Sequence, residues 1–119
     1  MANVNLKSLT TVLGENASID DIPVTPTNIV SCGSNEVLKV NSLYVANIDG
    51  TNSATLTVDV YDGAAVDSYL SKGLSVGAGG TVTVVTLDTP VYINEGQSIR
   101  LTASATGDLA GFVSYERIS

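Results

Sequence analysis

The sequence has no histidine, no tryptophan and one cysteine in 119 residues. Without an imidazole it lacks the commonest general base near neutral pH and the usual transition-metal ligand, and it cannot assemble a Ser-His or Cys-His nucleophile pair. Cys32 has no partner for an intrachain disulfide, so the chain is not a disulfide framework. It closes the apolar run Ile29-Val30-Ser31-Cys32 and reads as a small buried hydrophobe rather than a reactive thiol. Aromatic residues are only 5% and charged residues only 14%, the latter against about a quarter in ordinary soluble domains. Much of the surface must then be Thr, Ser, Asn, Gly and Ala, which suits lasting contact with another protein.

Cations are scarce as well. Lys7, Lys39, Lys72, Arg100 and Arg117 are scattered against twelve carboxylates, for a net charge of -7. With no basic cluster and no aromatic platform between cations, neither nucleic acid nor an anionic membrane is an expected partner. The acidity serves solubility. No apolar run approaches membrane-spanning length, and the opening MANVNLKSLTTVLGENASIDD has no continuous apolar core of a signal peptide. The expectation is a protein made and folded in a cytoplasm.

What is present is β-forming. Hydrophobic residues make up 44% of the chain, Val commonest among the large ones with Thr and Ser close behind, as half-buried pleated strands favour. The length fits one domain with a single core. Residues 7–13 read as a first strand, and residues 15–28, with Pro23, Pro26 and the pair Asp20-Asp21, as a loop or extended arm whose Ile19, Ile22 and Val24 pack somewhere. Residues 29–32 form a short strand and residues 37–47 a long one whose alternation slips between Val40 and Leu43, where a β-bulge is expected.

The stretch VNSLYVANIDGTNSATLTVDVYDG then reads as a β-hairpin turned at Asp49-Gly50, with Ala54, Leu56, Val58 and Val60 on the core side and Thr55, Thr57, Asp59 and Tyr61 on the other. Asp62-Gly63 turns again. Further strands follow at residues 66–71, 81–87, 91–93, 99–105 and 112–118, with Gly77 to Gly80 as a hairpin connection. The pattern predicts an all-β, antiparallel β-sandwich, jelly-roll or immunoglobulin-like, of roughly seven to nine short strands. Residues 1–28 would be a strand and arm, and residues 29–119 the sandwich.

No chemistry-bearing motif accompanies this scaffold. No serine lies in an S-x-x-K arrangement; Lys72 stands one place too far from Ser68. VGAGGTV lacks the Lys-Ser/Thr ending of a phosphate loop and precedes a strand. Asp59, Asp62 and Asp67, and likewise Asn47, Asp49 and Asn52, offer hard oxygens for calcium, but the twelve-residue loop with its closing Glu is absent. Turn chemistry accounts for them. Asp20 and Asp21 are neighbours in a loop rather than acids facing across a cleft. Tyr44, Tyr61, Tyr69, Tyr92 and Tyr115 are dispersed over five strands, which favours core or rim packing over a sugar-stacking surface. No catalytic, cofactor-binding or metal residue is expected, and no cofactor or small-molecule substrate.

From Thr27 to Ile118 the sequence resembles a recurrent family of small tailed-bacteriophage virion proteins. The resemblance is carried by Tyr44-Val45-Ala46-Asn47 as a YVxN element, by Gly73 to Gly80 as a GxxVxAGG connection, by Glu95 to Ile99 as an EGQSI turn and by Val113 to Ile118 as a closing VSYxxI. Ser31-Cys32-Gly33-Ser34 departs from the family's VPAG turn. These are fold motifs, not active-site motifs. The resemblance implies a β-sandwich on the outside of phage heads, or in tails and fibres. The expected function is a non-enzymatic capsid decoration or cement protein, present in the virion after assembly in the host cytoplasm. Its expected partners are the major capsid protein and copies of itself, with a trimer among the possible assemblies and residues 1–28 reaching a neighbour. The alternative is a receptor- or carbohydrate-binding module of a fibre or spike, contacting through residues 49–53 and 64–67, or a neck or tail component.

Overall fold

The computed structural model describes residues 11–119 and contains nine strands in two antiparallel sheets packed face to face. They are β1 (Val12–Ile19), β2 (Thr27–Ser31), β3 (Val37–Asn47), β4 (Ala54–Tyr61), β5 (Val66–Val76), β6 (Thr81–Val85), β7 (Val91–Ile93), β8 (Ser98–Ala103) and β9 (Leu109–Ile118). One sheet runs β1-β9-β3-β6, with β7 also paired to β3, and the other β2-β8-β4-β5. The predicted antiparallel sandwich is therefore the observed architecture.

Alternation explains the core. Ala54, Leu56, Val58 and Val60 are buried on the inner side of β4, and Ile99, Leu101 and Ala103 on that of β8; they meet Leu38, Val40, Leu43, Val45, Leu109 and Val113 from the other sheet. The expected bulge is present, as the register of β3 on β9 shifts between Val40 and Ser42. It returns Leu43 and Val45 to the inner face after Leu38 and Val40.

Two expectations are corrected. First, residues 40–63 do not form a hairpin: β3 and β4 lie in different sheets, and residues 48–53 carry the chain from one layer to the other. A two-residue Asp-Gly hairpin of the favoured kind needs glycine at positive φ. Gly63 has a positive φ (95°) within residues 62–65, the turn of the true hairpin β4–β5, whereas Gly50 has none. Residues 77–80 likewise cross between layers, from β5 to β6.

Second, residues 15–28 are not a single loop or arm: the expected loop is confined to residues 20–26, between β1 and β2. The segment through Ile19 belongs to β1, paired with β9 along its whole length. Beyond it, Ile22 is fully buried in the core while Val24 stays half-exposed. Backbone bonds from Ile22 N–H to Leu109 O (2.8 Å) and from Ala103 N–H to Pro23 O (2.9 Å) lay this segment across the end of the sandwich, and β2 starts at Thr27. Of the first strand expected over residues 7–13, residues 7–10 lie outside the described residues, as does most of the expected arm before β1.

Candidate functional site

Among the described residues the surface opens no pocket, and no three His, Cys, Asp or Glu side chains converge as a metal site would require. The molecule offers a partner its sheet faces, edges and loops. Register shows that the two outward faces differ in character.

On the β1-β9-β3-β6 sheet, cross-strand partners line up in rows. Ser18, Phe112, Tyr44 and Thr83 form one row across all four strands. Ala110, Ala46 and Thr81 form the row on one side, and Asn16, Ser114 and Ser42 the row on the other. None of these residues is charged. Tyr44 and Phe112 stack at the centre, ring centroids 5.4 Å apart and planes inclined by 26°. Charge enters only in the next row, where Lys39 Nζ lies 4.0 Å from Glu116 Oε2. A chain carrying -7 overall thus keeps three successive rows of one sheet face neutral. Depletion of charge with aromatic residues at the centre marks the middle of protein interfaces.

The outward face of the other sheet is charged and internally committed. Asn28, Arg100, Asp59 and Tyr69 share one row. Arg100 donates from Nε to Asp59 Oδ1 (2.8 Å) and from Nη2 to Asp59 Oδ2 (3.3 Å), a two-pronged contact that covers the carboxylate almost completely. The guanidinium lies 3.8 Å from the centroid of the Tyr61 ring, and Lys72 Nζ 4.7 Å from that of Tyr69. The hydrogen bond that the guanidinium donates to Asp59 holds the Arg100 pKa above its ordinary value.

The side chains of the two oxygen sets offered for calcium are engaged in hydrogen bonds within the protein. Asp59 is held by Arg100, Asp62 Oδ1 accepts from the N–H groups of Ala64 and Ala65 in the β4–β5 turn, and Asp67 Oδ2 accepts from Gln97 Nε2. Asn47 is a buried bracket: its Nδ2 donates to Asn52 O and Val76 O while its Oδ1 accepts from the Asp49 N–H. It ties the layer crossing at residues 48–53 to the end of β5, and an Asn closing an alternating strand was the sequence signal for it. Within the glycine stretch, Gly80 N–H is spent on Gly77 O and Gly79 N–H on Asp49 O. Asp21 Oδ1 accepts from Gly107 N–H (2.7 Å) in the neighbouring loop. Cys32 is buried, as expected, and burial pushes its thiol up to about 11. Arg117, which sequence reasoning passed over, is gripped between Glu15 on β1 and Glu36 in the β2–β3 turn. That grip locks the ends of β1 and β9 to the turn.

Asp49 and Asp108 stand on neighbouring loops at one end of the sandwich, joined by the backbone bond from Ile48 N–H to Asp108 O. Backbone and side-chain donors from Thr51 and Asn52 lower the Asp49 pKa, while desolvation, then Asp49 itself, raises that of Asp108. A carboxyl whose folded pKa is raised contributes stability below its unfolded value, near 4, which is lost as pH rises through the folded value. Asp108→Asn removes that loss. The difference in melting temperature, variant minus wild type, is therefore expected to increase as pH rises from about 3 to 7; a flat difference would contradict the raised Asp108 pKa.

No protein-family model matches the chain, and no curated protein matches it.

Proposed function

We propose that this protein is a non-enzymatic structural component of a tailed-phage particle, a head decoration or cement protein that docks on major capsid subunits. The observation that carries the reading is the neutral face centred on Tyr44 and Phe112, a surface built for contact rather than chemistry. Two further points support it. The family motifs span most of the sequence, and the strand order 1-9-3-6 over 2-8-4-5, with β6 and β7 sharing one position beside β3, is that of a jelly roll. Jelly rolls serve viral capsids and lectins alike, so the order supports a shell role without assigning it.

Docking at many equivalent sites on a closed shell makes a modest interface sufficient, since every bound copy stabilises the assembled state by mass action. The partners in this reading are major capsid subunits and further copies of this chain, and its location is the virion. The test is the copy number relative to the major shell protein in purified particles, by quantitative mass spectrometry, for wild type and for Thr83→Glu. Hundreds of copies, lost in the variant, support decoration through this face. A handful of copies moves the protein to tail, neck or fibre, and absence from particles overturns the reading.

A second reading, a carbohydrate-binding module of a fibre or spike, draws on the same Tyr44–Phe112 stack, because sugar rings pack on exposed aromatic faces. Low copy number together with glycan binding that Tyr44→Ala abolishes would favour it.

A further inference from the structure

Unpaired strand edges are templates for another strand, and proteins guard them with bulges, charge, proline or shortness. Three of the four edges here are guarded. β2 has only five residues, with its register broken between Asn28 and Val30. β5 shifts register against β4 at three places and carries Asp67 and Lys72. The β6/β7 edge is interrupted by residues 86–90, which include Pro90. β1 differs: it runs eight residues against β9 without a register shift and contains no proline.

Its open side is defined by hydrogen-bond phase. Thr11 and Ser119 exchange both main-chain bonds (2.7 and 2.8 Å), so Leu13, Glu15, Ala17 and Ile19 spend their N–H and C=O groups on β9. Val12, Gly14, Asn16 and Ser18 then present theirs to the open side, where no described residue pairs with them. The one charge on β1, Glu15, is held by Arg117 Nε at 3.0 Å.

We propose that this edge joins two copies of the chain, β1 against β1, antiparallel about a two-fold axis through Asn16. Two arguments select a second copy. An isologous contact must be self-complementary, and this edge is: centred on Asn16, the pairing sets Gly14 opposite Ser18, Leu13 opposite Ile19 and Glu15 opposite Ala17. About six main-chain hydrogen bonds result, and Leu13, 49% exposed in the single chain, gains an apolar neighbour. The alternative centred on Glu15 places like charges face to face and is disfavoured. Charge supplies the second argument. Two molecules of -7 repel over most of their surfaces, and this edge adds no bare charge of its own. The axis stands perpendicular to the sheet, so the two neutral faces lie side by side on one surface. The pairing itself does not depend on the virion reading.

The experiment is the mass of the full chain by light scattering over a concentration series, for wild type, Asn16→Lys and Asn16→Pro. Wild type is expected as a dimer. Asn16→Lys, which sets two cations together at the axis, and Asn16→Pro, which removes the outward N–H, are expected as folded monomers. Asn16→Lys alters an exposed side chain only, so it decides the matter if the proline variant fails to fold. A wild type monomeric at every concentration, or an oligomer that persists unchanged in Asn16→Lys, overturns the proposal.

Discussion

Asp59→Ala is expected to lower the unfolding free energy by about 3 kcal/mol, the low end of the cost of orphaning one member of a buried ion pair. Asp59 keeps 3% of its side-chain surface and Arg100 17%, so removing the carboxylate strands a mostly covered guanidinium against Tyr61. Partial exposure of Arg100 and the ring beneath it keep the loss from being larger. The pair is not thereby a large net source of stability, because both charges surrendered water to form it. Replacing both by apolar residues, Asp59→Val with Arg100→Met, is accordingly expected to cost less than Asp59→Ala alone. Urea unfolding of the single and double variants measures this as a coupling energy. The contrast is Lys39–Glu116 on the opposite face, 4.0 Å apart with both side chains about one-third exposed. Its removal is expected to change stability by about 0.5 kcal/mol or less. Equal losses for the two pairs would show that burial is not what distinguishes them.

Much of the fold was legible because a sandwich writes its core at period two. Val37 to Asn47 was readable as a strand to the residue, and so was its bulge, because an eleven-residue strand with one slip has few alternative explanations. What period cannot say is which sheet a strand joins. β3 and β4 have the same alternation whether they pair or lie across the core, and Asp-Gly looks the same in a hairpin as in a crossing; only the φ of Gly50 against that of Gly63 separates them. β1 was misread for a related reason. Its Gly14, Asn16 and Ser18 are loop-like in composition because they lie on the outward side at a sheet edge, where nothing demands apolar residues. The neutral face was legible only as composition, a shortage of charge. Its rows join Ser18, Tyr44, Thr83 and Phe112, residues brought together by registers between strands remote in sequence, and no local pattern encodes that.

The same remoteness hides a close approach of the two sheets in the core. Gly111 looks like part of a turn beside Gly107-Asp108, yet it lies within β9, opposite Val45 on one side and Ile19 on the other. A Cβ built there would stand 2.7 Å from Leu101 Cδ1, 3.4 Å from Ile22 Cδ1 and 3.6 Å from Ile29 Cδ1. Leu101 comes from the opposite sheet and Ile22 from the segment across the sandwich end, and both are fully buried. The leucine methyl therefore occupies the volume that any other residue at this position would claim. A close-packed interior has no slack into which it can retreat. Gly111→Ala is expected to cost about 2 kcal/mol as overpacking, and Gly111→Val more, since its branches extend further into the same space. Shortening the opposing side chain should relieve the clash. Leu101→Val alone costs about 1 kcal/mol, but combined with Gly111→Ala it is expected to leave the protein more stable than Gly111→Ala by itself, a favourable coupling between contacting sites. Denaturant unfolding of the four proteins decides it: strictly additive losses would mean that the two sheets can shift apart at this point, and that the glycine is not what sets their approach.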